Sequence, residues 1–463
     1  YAFDLFEAIY EEAWDKGLCP ALQEAYPEKA DYLRDVPRLI IEHNIHGVDI
    51  DPRAVQIAGL SLWLRAQRTW KDAPAERPRI RRSNIVCAEP MPGSDAMLED
   101  FVQTLDPPLL GELVKTVFDK MQLAGEAGTL LKIEEEIRTA IDEAKAKWKR
   151  SGEELPGLEA DPASSGLRSL TSDFWNTAEE RIYAALRDYA ESAEAGGYQR
   201  RLFAEDAAHG FAFIDLCRKR YDAVVMNPPF GAPPKKAEVQ KLLQKGYPKY
   251  KKNLACAFVY MAQRMSLSRA RTGVICDRSL FFRKNYKALR LELLSGGHME
   301  FADIGWEVMD DANVEGSAFC AELRSSNPNG QAVFFDLRAT PTRADTLLKQ
   351  TMVASRRISF GALRDYPNAA FAHWVVPSLI GAFNRFPKSA PEYFQASNGM
   401  SACDSPRFLR LWWEVPNSET GWKPLAHGGK FSPFIRPLYF AVNWKHNGAE
   451  VKQYIVQRYP YLD

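Results

Sequence analysis

Asn227-Pro228-Pro229-Phe230 directly follows an apolar run, Asp222 to Met226, and these residue types suit one kind of chemistry. An exocyclic amine on a heteroaromatic ring is a poor nucleophile, because its lone pair is delocalised into the ring. The Asn227 side-chain oxygen and the Pro228 carbonyl can each accept a hydrogen bond from such an NH2 group. That favours sp3 character and localises the lone pair for attack on a sulfonium methyl. Pro228 and Pro229 stiffen the turn that aims both acceptors, and Phe230 offers an apolar face to a planar group drawn out of its stack. The competing reading is a chance Pro-Pro turn after a strand.

Three further patterns bear on the same chemistry. In Gly47-Val48-Asp49-Ile50-Asp51-Pro52, Asp49 is placed at a strand end where a carboxylate can bind ribose hydroxyls bidentately, with Ile50 against an adenine ring. Asp51 before Pro52 is also a good helix N-cap in its own right, and the two roles are compatible. In Cys87-Ala88-Glu89-Pro90, Glu89 is either an acceptor for an adenine amino group or a solvated loop acid. Between 235 and 252 stand seven lysines (Lys235, Lys236, Lys241, Lys245, Lys249, Lys251, Lys252) against one Glu238. Beside a base-binding motif this local excess suits phosphate contacts; a solvated helix face is the alternative.

The elements that must position these residues are legible as alternating strands and helices. Ile45–Ile50 and Asn84–Ala88 are short apolar runs closed by turn residues, and Pro52 opens a helix between them. In Asp222–Met226 the residues after Asp222 are continuously apolar, as in buried parallel strands. Strands are also expected over 273–276, 299–304 and 317–323, and helices over 1–16, 254–267 and 286–294. This is the rhythm of a doubly wound α/β fold. It breaks between about 97 and 196, where Leu130, Ile133, Ile137, Ile141, Ala144 and Trp148 mark a charged helix, Ser151 to Ser165 a loop, and Trp175 to Tyr189 a second helix. Phe408 to Tyr459 is dense in aromatics and turn residues and reads as a mostly irregular or β module.

Composition bounds the function. With 60 basic and 60 acidic residues in 463, a uniformly basic nucleic-acid-coating protein is excluded, so phosphate contacts require local patches. No apolar run reaches the ~18 residues of a membrane span. Asp4, Glu7, Glu11 and Glu12 interrupt any signal-peptide pattern. Seven scattered cysteines without a CxxC pair favour buried thiols over a disulfide frame or zinc site, and His43 and His46 lack a ligand pattern, so no metal is expected. The first residue, Tyr1, stands within a helical pattern, and a fragment of a longer protein is expected.

The order "GVDIDP…AEP…NPPF", with "LFAEDAAHGFAFIDLCRKRYDAVVMNPPFG" and "RFLRLWWEVP…FSPFIRPLYFAVNWKHNGAEVK", resembles gamma-type N6-adenine DNA methyltransferases. The phage-defence methyltransferases of the BREX (PglX) type, with their DISARM and type IIG relatives, are the nearest group. The resemblance implies an α/β fold: a Rossmann-like S-adenosylmethionine-dependent methyltransferase sheet with a helical insertion and a truncated C-terminal target-recognition module. It implies a core over 1–96 and 197–325, the insertion over 97–196, a connector over 326–395 and the start of a recognition domain over 396–463. It implies Asn227, Pro228, Pro229 and Phe230 at the target base, and Asp49, Ile50 and Glu89 at the cofactor. The expected substrate is duplex DNA with a flipped adenine in the bacterial cytoplasm, at the nucleoid. Other defence proteins or a phage-encoded inhibitor are expected partners. Such enzymes carry an Asp-Pro-x-x-Gly-Ser-Gly loop ahead of a helix like Tyr1–Trp14; here it is expected upstream of Tyr1, and the fragment alone is expected to be inactive. The same fold on an RNA guanine or protein glutamine amine is one alternative; a non-catalytic DNA-recognition subunit is another.

Overall fold

The computed structural model describes residues 1–71, 77–91, 95–105, 108–139, 198–306, 314–322, 329–338, 355–386, 404–416, 419–427 and 437–458, with isolated helical positions between 142 and 189. Ile141, Ala144, Trp148, the stretch 151–165 and Trp175 lie outside the described residues. The chain divides into two units, Tyr1–Asn384 and Arg385–Asp463.

In the first unit, β1 (His46–Asp49) pairs in parallel with β2 (Asn84–Cys87), Asp49 standing opposite Cys87. Between them runs the helix Pro52–Thr69, started by Asp51 as N-cap and by Pro52, whose missing N–H costs nothing in the first turn. A six-stranded sheet follows in the order β3-β4-β6-β5-β7-β8. Its strands are β3 (Tyr221–Met226), β4 (Ser266–Asp277), β5 (His298–Gly305), β6 (Gly316–Glu322), β7 (Gln331–Asp336) and β8 (Ser355–Ser359). The β3/β4 and β5/β7 pairs are parallel and the rest antiparallel. The stretch 326–395, expected as a connector, thus supplies two strands of this sheet.

The helix Leu254–Met265 is capped by the Asn253 side chain, which accepts from Ala255 N at 2.9 Å, and buries seven of its residues against the sheet core. Phe281, Phe301, Phe319, Phe334 and Phe371 fill that core. A second core joins Phe101, Val117 and Phe118 of the helical stretch to Phe203 and Phe211 of the long helix Tyr198–Arg218. Ala88 and Met91, just after β2, belong to it, so the insertion is anchored on the strand that carries Glu89. Among the described residues no helix is long and apolar enough to cross a membrane.

One expectation is corrected. The apolar run ending in Met226 forms a strand, but not a buried one. Among the described residues β3 pairs only with β4, at the sheet edge, and Val225 is 84% exposed. A continuous apolar run shows that side chains would suit cover on both faces; it does not show that a covering neighbour is present.

In the second unit, β9 (Leu409–Leu411), β10 (Trp422–Leu425) and β11 (Phe440–Asn443) form an antiparallel sheet in the order β10-β11-β9. A helix over Lys445–Arg458, not expected from the sequence, packs Val451 against Phe408 and Val442. His446, Asn447 and Gly448 take positive φ at its start, which breaks the helical pattern there.

Candidate active site

Asn227 follows β3, whose last residue, Met226, pairs with Val274 of β4. It therefore sits at the carboxyl end of a parallel pair, where open α/β sheets bind ligands. Asn227 is exposed and, among the described residues, its side chain makes no hydrogen bond, so its amide is uncommitted. Pro228 is buried, Pro229 is exposed, and Phe230 is half-buried against the main core. Gly231 leaves the turn at φ +95°, a conformation that L side chains rarely adopt. Gln240 Nε2 then donates to the Pro234 carbonyl at 2.7 Å and pins the segment that leads into the helix Ala237–Gly246.

The second cluster lies at the carboxyl ends of β1 and β2. The Ala88 N–H donates to the Asp49 carbonyl at 2.8 Å and extends the ladder by one bond. Asp49 Oδ1 accepts the Asp51 N–H at 2.8 Å. Asp51 Oδ1 in turn accepts the Arg53 N–H at 2.9 Å, and Asp51 Oδ2 pairs with Arg53 Nη2 at 2.8 Å. The structure thus separates the two acids: Asp51 caps the helix, while exposed Asp49 spends one oxygen on a turn bond. The Arg53 bonds hold the Asp51 carboxyl below its usual range. Burial, with Glu89, Asp49 and Asp51 nearby, pushes the Cys87 thiol up, so these three carboxylates converge on one strand end. Such a cluster repels phosphates and suits a ligand that offers hydroxyl and amino donors with positive charge.

Two glycines of the insertion lie against this cluster. A Cβ on Gly128, at φ +50°, would stand 3.5 Å from Ile50 Cγ2, and one on Gly125 would stand 3.3 Å from Pro90 Cδ. Ile50 itself is 53% exposed, which leaves an apolar face open beside Asp49. The sequence reading placed this segment in a helical insertion without a role at the site. Its only local signal is the pair of glycines around Glu126-Ala127.

All seven lysines of 235–252 are exposed. Lys236 forms an ion pair with Glu126 of the same glycine-flanked segment, so it links the loop after Phe230 to the wall beside Ile50. The helix Ala237–Gly246 buries Val239 and Leu243, which leaves Lys241 and Lys245 to solvent. A separate cavity lined by Arg220, Tyr260, Gln263 and Arg264 lies at the amino-terminal ends of β3 and β4, opposite Asn227, and takes no part in this arrangement.

The site thus presents an uncommitted strand-end amide, an acidic strand-end pair and a mixed sheet, and the family profile gives the class: a restriction-modification methylase. The chain belongs to the Eco57I restriction-modification methylase family, whose profile matches residues 43–302. It is similar to the adenine-specific methyltransferase BrxX of Escherichia coli O9:H4 (strain HS), 24% identical over 450 residues, which span 93% of this chain and 35% of that protein. It is also similar to the adenine-specific methyltransferase PglX of Lacticaseibacillus casei (strain Zhang), 20% identical over 488 residues, spanning 98% of this chain and 35% of that one. The chain thus spans about a third of the length of these relatives. Among solved structures, a type I methyltransferase subunit from Streptococcus thermophilus aligns with 78% of this chain and 97% of its own, at 10% identity and a TM-score of 0.26. The type ISP enzyme LlaGI, solved with a DNA substrate mimic, aligns with 68% of this chain and 34% of its own, at 14% identity and a TM-score of 0.28.

Proposed function

We propose that this chain is the methyl-transfer region of a site-specific DNA methyltransferase that modifies adenine N6 in a bacterial phage-defence or restriction-modification system. The observation that carries the reading is the uncommitted Asn227 amide at the carboxyl end of β3, followed by Pro228, Pro229 and Phe230, within the span matched by the family profile. Asn227 Oδ1 and the Pro228 carbonyl accept the two N–H bonds of the target amine and orient its lone pair. Phe230 stacks against the extruded base.

S-adenosylmethionine fits the second cluster on its chemistry. Its ribose hydroxyls are donors for Asp49, its adenine amino group is a donor for Glu89, and Ile50 offers an apolar face opposite Gly128. When bound, it supplies an electrophilic methyl group. The chain's own residues hold the amine, exclude water around the stacked base and bind the flanking phosphates, for which the exposed lysines of 235–252 are the candidates.

The test uses the full-length protein that carries this chain, with tritium-labelled S-adenosylmethionine and duplex DNA, total RNA or protein as separate acceptors. Label recovered as N6-methyladenine from DNA is the expected result. Label confined to RNA guanine or to protein would move the same site to another substrate class.

A further inference from the structure

Trp374 is 45% exposed, yet its ring is held on several sides. The guanidinium carbons of Arg278 and Arg338 lie 5.2 and 5.1 Å from the ring centre. The rings of Phe282 and His373 each lie 5.1 Å away. Both arginines are fixed from below by Asp303, fully buried near the end of β5, whose carboxylate lies 2.6 Å from Arg278 Nε and 3.5 Å from Arg338 Nε. The loop that bears Trp374 is fastened to the turn after β4: the Phe371 N–H donates to the Phe281 carbonyl at 3.0 Å, and the two rings stack at 5.4 Å.

These contacts restrain the exposed indole before any partner arrives. An exposed tryptophan normally gives up rotamer freedom when it is covered; here the restraint lowers that ordering cost. Its location is equally specific. Arg278 and Phe282 follow the carboxyl end of β4, the strand paired with β3, whose own end carries Asn227. The two arginines at the ring, Arg278 and Arg338, are outnumbered by the three carboxylates that pair with them, Asp303, Glu315 and Asp336, so no positive charge is left over there. The surface therefore suits a flat π-face rather than a phosphate. Trp374 lies outside the span of the family profile, 43–302.

We propose that Trp374 is a substrate-binding residue that stacks on an unstacked DNA base beside the target adenine, holding the displaced strand while Asn227 holds the amine. This rests on the reading of the chain as a DNA methyltransferase. Bases stack on aromatic side chains whatever their identity, so the contact positions the strand without reading sequence.

The experiment compares wild type with Trp374→Phe, Trp374→Leu and Trp374→Met in the full-length protein, each checked for its melting temperature. The probe is a fluorescein-labelled mixed-sequence single strand of about 20 nucleotides, titrated at several salt concentrations; Trp374→Phe should bind like wild type and Trp374→Leu about ten-fold more weakly. The slope of log affinity against log salt should be the same in all, because no phosphate contact is removed. Trp374→Met is a second apolar replacement should Trp374→Leu fail to fold. Wild-type affinity in a folded leucine or methionine variant overturns the proposal, and so does a reduced salt slope. Tritium transfer into duplex DNA by wild type is scored in parallel. With transfer intact, an unaffected leucine variant defeats the stacking role alone. Absence of transfer by wild type defeats the methyltransferase reading, and this proposal with it.

Discussion

Arg290 donates from Nη1 to the carbonyl oxygen of Leu280 at 2.6 Å, fully buried and without an ion-pair partner among the described residues. Its Nε and Nη2 reach the Ala369 and Asn368 carbonyls at 3.1 and 3.0 Å. Both of those residues carry positive φ, +53° and +59°, so one guanidinium ties a strained turn to the segment after β4. Burial pushes its pKa down to about 10, which still leaves it protonated at neutral pH. Arg290→Met leaves two buried acceptors, the Leu280 and Ala369 carbonyls, and the part-buried Asn368 carbonyl unbonded, and should destabilise the first unit by about 3 kcal/mol. Arg290→Lys, with one compact donor group, should recover part of that. Urea midpoints measured on the three proteins decide it; equal midpoints would mean that the turn holds itself.

Asn227→Ala should abolish methylation while leaving DNA affinity intact, because the lost bonds matter most when the amine becomes nucleophilic. The expected loss is about 2–4 kcal/mol in kcat, the range for one polar contact made in the transition state. Single-turnover tritium transfer and a binding titration on the same variant check the two halves separately. Transfer at the wild-type rate would sink the assignment.

Asp49 and Asp51 should separate cleanly. Asp49→Ala should weaken S-adenosylmethionine binding by roughly 1.5–3 kcal/mol, as expected for hydrogen bonds to a charged group. Asp51→Ala removes the helix cap and should lower the melting temperature with little change in cofactor affinity. Calorimetry on the full-length protein, paired with thermal melts, distinguishes them. The same loss of affinity in both variants would show that the turn acts as one unit.

Neutralising Lys241, Lys245, Lys249 and Lys251 should weaken binding to all DNA sequences alike. Each phosphate contact removed should lower the slope of log affinity against log salt by ~0.9. Lys236 is left out because it is paired with Glu126. The control neutralises Lys71, Lys284, Lys287 and Lys423 instead, which are likewise exposed and without an ion pair among the described residues. Equal slope changes in the two sets would reduce the 235–252 segment to one solvated face among others.

Asp303 should dominate acid sensitivity in the first unit. Burial raises its pKa, but hydrogen bonds from His373 and Arg278 outweigh this and hold it below the usual range. A depressed carboxylate contributes stability that is full above its unfolded value, about 3.9, and is lost as pH falls through the folded one. Asp303→Asn should therefore lower stability at neutral pH, by about 3 kcal/mol if it behaves as other broken buried pairs do. It should also flatten the decline below about pH 4. Urea midpoints against pH for both proteins test this, and parallel curves would refute it.

What the sequence disclosed, and what it withheld, divides along contact range. β1 and β2 were legible because each is a short run closed by turn residues, and Pro52 marked its helix start by a local steric rule. The turn at Asn227 was legible for the same reason, since its four residues are adjacent in the chain and follow the strand directly. The 371–374 loop was not: Trp374 is held largely by residues distant in sequence, such as Arg278, nearly a hundred positions away, and Arg290 looks like an ordinary charged residue in its helix. β3 failed differently, because Ala223-Val224-Val225 reports side-chain preference while exposure depends on which strand lies alongside. Gly125 and Gly128 were hidden because a glycine's closeness to Ile50 or Pro90 leaves no trace in spacing.

β3 has a colloidal consequence. Its outer edge offers a row of backbone donors and acceptors on an apolar strand, with Val225 open to solvent and Asp222 as its one charged guard. Natural proteins protect such edges with lysines, prolines or bulges, because an unguarded edge templates pairing with any strand that drifts past. On the helix Pro52–Thr69, Ile57, Leu60 and Leu64 form a further exposed apolar stripe. For this chain taken by itself, Val225→Lys, which leaves Asn227 and the rest of the turn untouched, should therefore reduce edge-to-edge association at rising concentration.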